Sequence, residues 1–222
     1  MPFSSVADAV TAWVDGWAVS RGAADPVAEP WGFTVHVGQV THATRHVLTA
    51  RDEVAVRKVA EAVGAPSVWL KVFADPERVR AWAGPAWRED EPGFLMATEL
   101  RGGAAAVPDG YTLTTWTRGG VVRALVTAAD GSFAARGQIA PTGRTAVVDQ
   151  VETSAAHRRR GLGSFIMRTL HNAALDRGAT VGVLGATTQG RALYESLGWR
   201  VQAPLVSLFF DASADPAAGP PA

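Results

Sequence analysis

Val151–Gly163, VETSAAHRRRGLG, decides how this chain is read, together with LYESLGW downstream at Leu193–Trp199. The first segment has the pattern of a strand, a tight basic turn holding two glycines, and the opening turn of a helix. A helix start leaves backbone N–H groups unpaired and sets the positive end of the helix dipole at the turn. Ringed by Arg158, Arg159 and Arg160, such a turn is suited to an anion, and a phosphate-bearing cofactor is the natural guest. Tyr194, on a second helix, supplies a candidate proton donor.

Two common phosphate motifs do not fit. A Walker loop needs a Lys-Ser/Thr pair after its glycines, and GLGSF at Gly161–Phe165 has neither residue in place. A dinucleotide fingerprint needs a third glycine where Ile166 stands. The segment instead resembles the acyl-CoA pyrophosphate loop of the GNAT N-acetyltransferase superfamily, Q/R-x-x-G-x-G/A, spelled here Arg158-Arg159-Arg160-Gly161-Leu162-Gly163. The alternating strand before it, the amphipathic helix after it and the ALYESLGW helix extend the resemblance over about Tyr111 to Phe210.

Outward from this core, the chain reads as a folded enzyme-like protein. Its 222 residues can bury a sizeable core, and 47% hydrophobic with 19% charged residues is a globular composition. The net charge of zero gives no electrostatic support for nucleic-acid or anionic-membrane binding. With no cysteine there is no thiol nucleophile, disulfide or thiolate metal site. No apolar run approaches the ~20 residues of a membrane span, and a cytoplasmic location is expected. His36, His42 and His46 share parity in or beside strands; without acidic residues at ligand spacing they read as ordinary sheet histidines, and no metal is expected.

Val6, Val10, Trp13, Val14 and Trp17 follow Ser4-Ser5 at helical spacing and predict a capped helix ended by Gly22, with AADPVAEP as a loop. Strands are expected at Phe33–Val37, Thr44–Leu48, Ser67–Phe73 and Phe94–Leu100, and helices at Glu53–Val63 and Pro76–Ala83. RGGAAAVPDG at Arg101–Gly110 is the best candidate boundary, dividing an N-terminal α/β region (1–100) from a catalytic domain (107–210). Four strands then form a meander, Tyr111–Thr117, Val121–Ala128, Phe133–Ala140 and Thr145–Thr153. A helix (Gly163–Asp176), a strand (Val181–Leu184), a helix (Gln189–Leu197) and a terminal strand or strand pair (Trp199–Phe210) follow. Residues 211–222 read as a disordered tail. No internal repeat of fixed period is visible.

The resemblance implies an α/β fold with a mixed sheet, a GNAT-like core carrying an additional N-terminal α/β half. One departure stands out. That core normally has two helices between its first two strands, and here only Thr117–Gly120 separates them. Either the N-terminal half supplies equivalent helices, or it is a degenerate second copy; in both cases it helps form the acceptor pocket. Trp69, Trp82, Trp87 and Trp116 read as core packing or as walls of that pocket.

Acyl transfer to an amine requires an amine free of its proton, which for a lysine-like ammonium of pKa about 10.4 costs roughly 4–5 kcal/mol at pH 7. It also requires donors for the developing oxyanion and a proton for the leaving thiolate. The resemblance implies acetyl-CoA as cosubstrate, its pyrophosphate cradled by backbone N–H groups from about Arg159 through Gly161, Leu162 and Gly163 to Ser164. Arg158, Arg159 and Arg160 would focus charge on its phosphates. The main chain of Val151, Glu152 and Thr153 would run beside the pantetheine arm and supply the oxyanion donors. An asparagine common after the fifth strand is replaced by Thr187 or Thr188, and Thr187 takes that contact. Tyr194 is implied as the acid. Strand alternation sets Val147, Asp149, Val151 and Thr153 on one face and Val148, Gln150 and Glu152 on the other. Asp149 is the first candidate base, Glu152 the second, and a water relay the third. The acceptor is expected to be a small-molecule amine, and a homodimer is compatible with the sequence. The alternatives are a longer acyl-CoA or an acyl-carrier protein as donor, or a non-catalytic acyl-CoA-binding sensor.

Overall fold

In the computed structural model, which describes residues 2–49, 51–63, 65–211 and 213, Ser5 opens the first helix by accepting a hydrogen bond from the Asp8 N–H. α1 (Val6–Arg21) then runs to Gly22, which closes it with φ 60°. Its apolar stripe of Ala9, Val10, Trp13, Val14 and Trp17 is buried, as the spacing predicted. Next come β1 (Val27–Glu29), β2 (Gly32–Gln39), β3 (His42–Leu48), α2 (Glu53–Ala62), β4 (Val68–Val72), α3 (Pro76–Ala83), β5 (Trp87–Glu89) and β6 (Gly93–Glu99). The second half contains β7 (Tyr111–Arg118), β8 (Val121–Ala128), β9 (Phe133–Thr142), β10 (Thr145–Thr153), α4 (Leu162–Leu175), β11 (Val181–Thr187), α5 (Thr188–Ser196) and β12 (Arg200–Phe210). The expected elements agree to within a few residues. β1 and β5 are additional, three residues each, in stretches whose prolines and charges read as loop.

All twelve strands form one continuous sheet in the order β1-β2-β3-β4-β12-β6-β11-β10-β9-β8-β7, with β5 pairing the far end of β12. The order β2-β3-α2-β4-α3-β5 repeats β9-β10-α4-β11-α5-β12. In each, an antiparallel pair leads into a helix crossover between parallel strands, β3 with β4 and β10 with β11. The two copies exchange strands. β6, from the first, lies between β11 and β12 of the second. Residues 206–210 of β12 lie between β4 and β5 of the first. The two halves thus repeat one order of elements, the arrangement that the second-copy alternative calls for. A shared topology needs no more than a shared apolar pattern, so a repeat of topology need not show as a repeat of residues.

The sheet is covered on both faces even without the two missing helices. α4 and α5 pack on one sheet face around Met96, Val148, Ile166, Leu170 and Trp199. The other face is covered by α1, whose Trp13, Val14 and Trp17 meet Val147, Val181, Val183 and Leu205. Gly16 lets α1 lie directly on β10, since a Cβ there would sit 2.4 Å from a Val147 methyl. Arg101–Gly110 therefore separates two stretches of sequence but not two bodies: α1 and β6 precede it and are built into the later half. Of the expected disordered tail, all but Asp211 and Ser213 lies outside the described residues. Asp211 accepts a hydrogen bond from Arg88 Nε at 3.2 Å.

Candidate active site

β10 and β11 are hydrogen-bonded neighbours only over Thr145–Val147 and Val181–Val183. Beyond Val147 they diverge, leaving the β11-facing edge of Val148–Thr153 without a strand partner. The cause is local. Gln150 stands at φ 53°, and the register with β9 slips between Asp149 and Glu152. Such a bulge bends its strand away from a neighbour, and a left-handed non-glycine residue is a strain kept where it shapes a site. The corresponding strands of the first copy, β3 and β4, stay paired from Thr44–Val68 to Leu48–Val72 and open no cleft.

The splay forms a cleft of about 780 Å³ bordered by Arg21, Val148–Thr153, Arg158, Arg159, Gly161–Ser164, Gly185, Thr187, Leu193 and Tyr194. At one end lies the N-terminus of α4. Gly161 caps it at φ 78° with no side-chain hydrogen bond, and the first helical closure is the Phe165 N–H to the Gly161 carbonyl. The N–H groups of Leu162, Gly163 and Ser164 are therefore free for a ligand. Arg159 at φ 63° precedes them, and alternation of this kind makes a concave nest of amides suited to an anion. The first copy has no such feature, because Asp52 caps α2 with its own carboxylate on the Ala55 N–H.

The two glycines act differently from one another. Gly161 has open space around it, so its conformation alone calls for glycine. At Gly163 a Cβ would lie 2.9 Å from Leu193 Cδ2, so glycine there permits α4 to meet α5. Arg160 turns from the cleft and donates to the Tyr111 hydroxyl at 3.2 Å, where His157 Nδ1 also bonds at 3.1 Å. Thr187 borders the cleft, but its hydroxyl caps α5 by accepting from the Gly190 N–H at 3.1 Å.

The bulge also corrects the strand parity. Val151 packs with Ile166 on the α4 face, not beside Asp149. Past the slip, Glu152 falls on the same face as Asp149, one residue out of the expected alternation. Both carboxylates are partnered, to different degrees. Asp149 accepts from Arg21 Nε at 2.5 Å, Arg21 Nη2 at 2.9 Å, Ser20 Oγ at 3.0 Å and the Gln150 N–H at 2.9 Å. Its side chain is 13% exposed. Among the described residues Glu152 accepts only from Arg136 Nε at 2.9 Å, through Oε2, and it is 53% exposed. It borders both the cleft and an adjoining recess with Trp116, Phe133 and Gln138.

Tyr194 packs its ring against Trp199 in the core, with centroids 6.1 Å apart, and borders the cleft. Burial, and then the Asp149 charge, push its hydroxyl up to about 12. It stays a protonated phenol, and among the described residues nothing hydrogen-bonds to it. His42, His46 and His36 do not converge: His42 stacks on Trp69, His46 bonds Thr34 and His36 bonds Thr44. Trp82 and Trp87 join the core around α2 and α3, while Trp69 is half-buried and Trp116 is 44% exposed. Among the described residues no helix is long and apolar enough to cross a membrane.

Sequence reasoning missed Arg21, Ser20 and Gln138, which join the end of α1 to Asp149 and β9. It also missed Arg45 and Lys71, both buried. Lys71 had a visible signal: one of the two lysines in the chain, flanked by Leu70 and Val72 in a strand pattern.

The comparisons agree with this architecture. The model of the GNAT acetyltransferase family matches residues 77–199, more than half the chain, and the chain belongs to that family. The match reaches back from the expected start near Tyr111 to take in β5 and the exchanged β6. A GCN5-related N-acetyltransferase from Kribbella flavida shares the fold with TM-score 0.65 at 20% identity, over 94% of this chain and 96% of that one. A tandem GNAT protein from the clavulanic acid biosynthesis pathway matches with TM-score 0.57 at 14% identity, covering 97% and 96%. A GCN5-related N-acetyltransferase-like protein from Streptococcus suis matches with TM-score 0.58 at 14% identity, covering 93% and 100%. No curated protein matches the sequence.

Proposed function

We propose that this GNAT-family chain transfers an acetyl group from acetyl-CoA to the amine of a small molecule by direct attack in a ternary complex. The observation that carries the reading is the single splayed cleft, with an uncapped helix N-terminus at one end and Tyr194 along its wall. When bound, acetyl-CoA supplies an activated acetyl thioester. The Leu162–Ser164 amides hold its pyrophosphate, helped by Arg158 and Arg159. The open edge of β10 offers amides to the pantetheine arm and to the carbonyl oxygen as it gains charge. Tyr194 gives its proton to the departing sulfur.

Among the base candidates, Glu152 now stands ahead of Asp149. Its Oε1 has no hydrogen-bond partner among the described residues, whereas four donors occupy the oxygens of Asp149. Asp149 instead positions Arg21 and the end of α1. A screen of small amines with acetyl-CoA, read by free thiol release, tests the activity. Binding of CoA with acetyl-CoA left intact by every amine would favour the sensor reading; turnover only with longer acyl donors would change the donor. Once a substrate is in hand, Glu152→Gln should lower kcat by about 10²–10⁴-fold while keeping the melting temperature. Asp149→Asn should lower both activity and melting temperature, because it loosens the α1 anchor. The reverse pattern would return the base to Asp149.

A further inference from the structure

On the α1 face two basic side chains are buried without an ion-pair partner among the described residues. Arg45 is 8% and Lys71 7% exposed, and among the described residues neither forms an ion pair. Arg45 lies 3.7 Å over the Trp17 ring and donates through Nε to His42 Nε2 at 3.2 Å. Lys71 lies 4.7 Å over the Trp69 ring and donates to Ser207 Oγ at 2.6 Å. His42 stacks on Trp69 with centroids 5.1 Å apart, and Phe209 is tilted against the same ring at 5.5 Å. The two basic groups share one cluster of aromatic rings, and burial, then the Arg45 charge, holds Lys71 well below its usual range.

The nearest acids do not neutralise them. Asp149 is occupied by Arg21 and Ser20, and Asp90 is exposed. Burying an uncompensated charge is costly, and a lysine in such a place escapes the cost only by giving up its proton, so the pair favours whatever supplies negative charge. This cluster is joined to the cleft through Arg21 and α1. Arg21 links Asp149 to Trp17, and Trp13 of the same α1 stripe lies 3.7 Å from where a Cβ on Gly185 would stand.

We propose that the acceptor amine carries an oxyanion, a carboxylate or a phosphate, bound by Arg45 and Lys71 among these aromatic rings. The inference rests on the acetyltransferase reading. In the free chain the Trp17 and Trp69 faces and the Ser207 hydroxyl hold the cations where an anion would sit, and cation–π contact is the weaker substitute.

The test compares wild type with Lys71→Met, which keeps the length and removes the charge, and with Arg45→Gln as a second variant. Melting temperatures are taken in acetate and in inorganic phosphate at ionic strength balanced with chloride, and separately with CoA. We expect the anions to raise the wild-type melting temperature, the more effective one identifying the group, and the response to vanish in Lys71→Met. Without added anion the variant should melt no lower than wild type, and CoA should shift both equally. In turnover, β-alanine against propylamine and phosphoethanolamine against ethanolamine form matched pairs. The anionic member of one pair should have a kcat/KM about 10–10²-fold higher in wild type, falling to parity in the variant. Equal anion responses in wild type and both variants would overturn the proposal, as would a variant much less stable than wild type. Where none of the four amines reacts, the thermal comparison decides. Failure of the acetyltransferase reading looks different: no CoA shift in any of the three proteins.

Discussion

Tyr194 shows how one residue can be core and chemistry at once. Its ring sits among Trp199 and Leu193 while its edge of the cleft carries the hydroxyl. Proton transfer to the leaving sulfur is an interaction made mainly in the transition state, so its loss should lower kcat and kcat/KM together and leave acetyl-CoA affinity nearly unchanged. A thiolate with intrinsic pKa about 8.5 is a fair leaving group unaided. Tyr194→Phe should therefore cost on the order of 10–10³-fold, with a stable fold because the ring packing survives. With its hydroxyl pushed up to about 12, Tyr194 remains an acid throughout the usual assay range, and any alkaline loss of rate belongs to another group. Wild-type turnover in the variant would make Tyr194 a packing residue. His171 gives an independent check on the same core. Burial lowers it to about 4 from 6.5, so the folded state takes up its proton later than the unfolded state as pH falls. Its contribution is complete above about 6.5 and is lost on descending through the window to about 4. The melting temperature of His171→Phe should therefore fall less than that of wild type between those pH values.

At the scale of elements, the sequence was most legible where the backbone follows its local pattern. The α1 stripe, the Pro76 helix start and the RRRGLG turn each declare themselves by spacing, and each lies where expected. The bulge was not legible. Nothing in DQVE requires Gln150 to turn left-handed, yet that one residue moves Glu152 to the other face and opens the cleft. The exchange of β6 and β12 escaped for a related reason: buried strands of either copy have the same apolar pattern, so periodicity does not say which sheet a strand joins. Arg160 and Thr187 show the same limit for side chains, since their partners Tyr111 and the Gly190 amide are set by packing. The turn itself yields a sharp prediction. Gly161 has room for a side chain but not the backbone for one, and forcing a non-glycine residue to φ 78° costs about 1–2 kcal/mol. Gly161→Val should relieve that strain by rearranging the turn and abolish the rise in melting temperature that CoA gives the wild type. The far-ultraviolet circular dichroism should be unchanged. A variant that still responds fully to CoA would place the pyrophosphate elsewhere.

At the scale of the molecule, the two halves are interdependent, and cutting between them measures this. A chain beginning at Val107 retains every cleft residue except Arg21, so by local motif alone it should bind CoA. Structurally it loses two supports. β11 would give up β6, its partner from Val181–Glu99 to Thr187–Gly93, and β12 would no longer be joined to the rest of its sheet. The α1 face of Val147, Val181 and Val183 would be bare. Trp13 and Trp17, each burying about 200 Å² at roughly 25 cal/mol per Å², amount to an upper bound on the order of 10 kcal/mol. That equals the entire stability of a typical domain. The chain from Val107 should therefore be insoluble, or give no CoA-induced shift in melting temperature. A second chain from Gly93 restores β6 but not α1, and separates strand pairing from helix cover. It should still fail, since the tryptophan term alone exhausts the stability. Supplying residues 2–91 on a separate chain should rescue it, because α1 packs on β9, β10 and β11 through side chains that need no covalent connection. A soluble Val107 chain with full activity would mean that the first copy decorates the catalytic half, and would leave Arg21, Arg45 and Lys71 without a part in its chemistry.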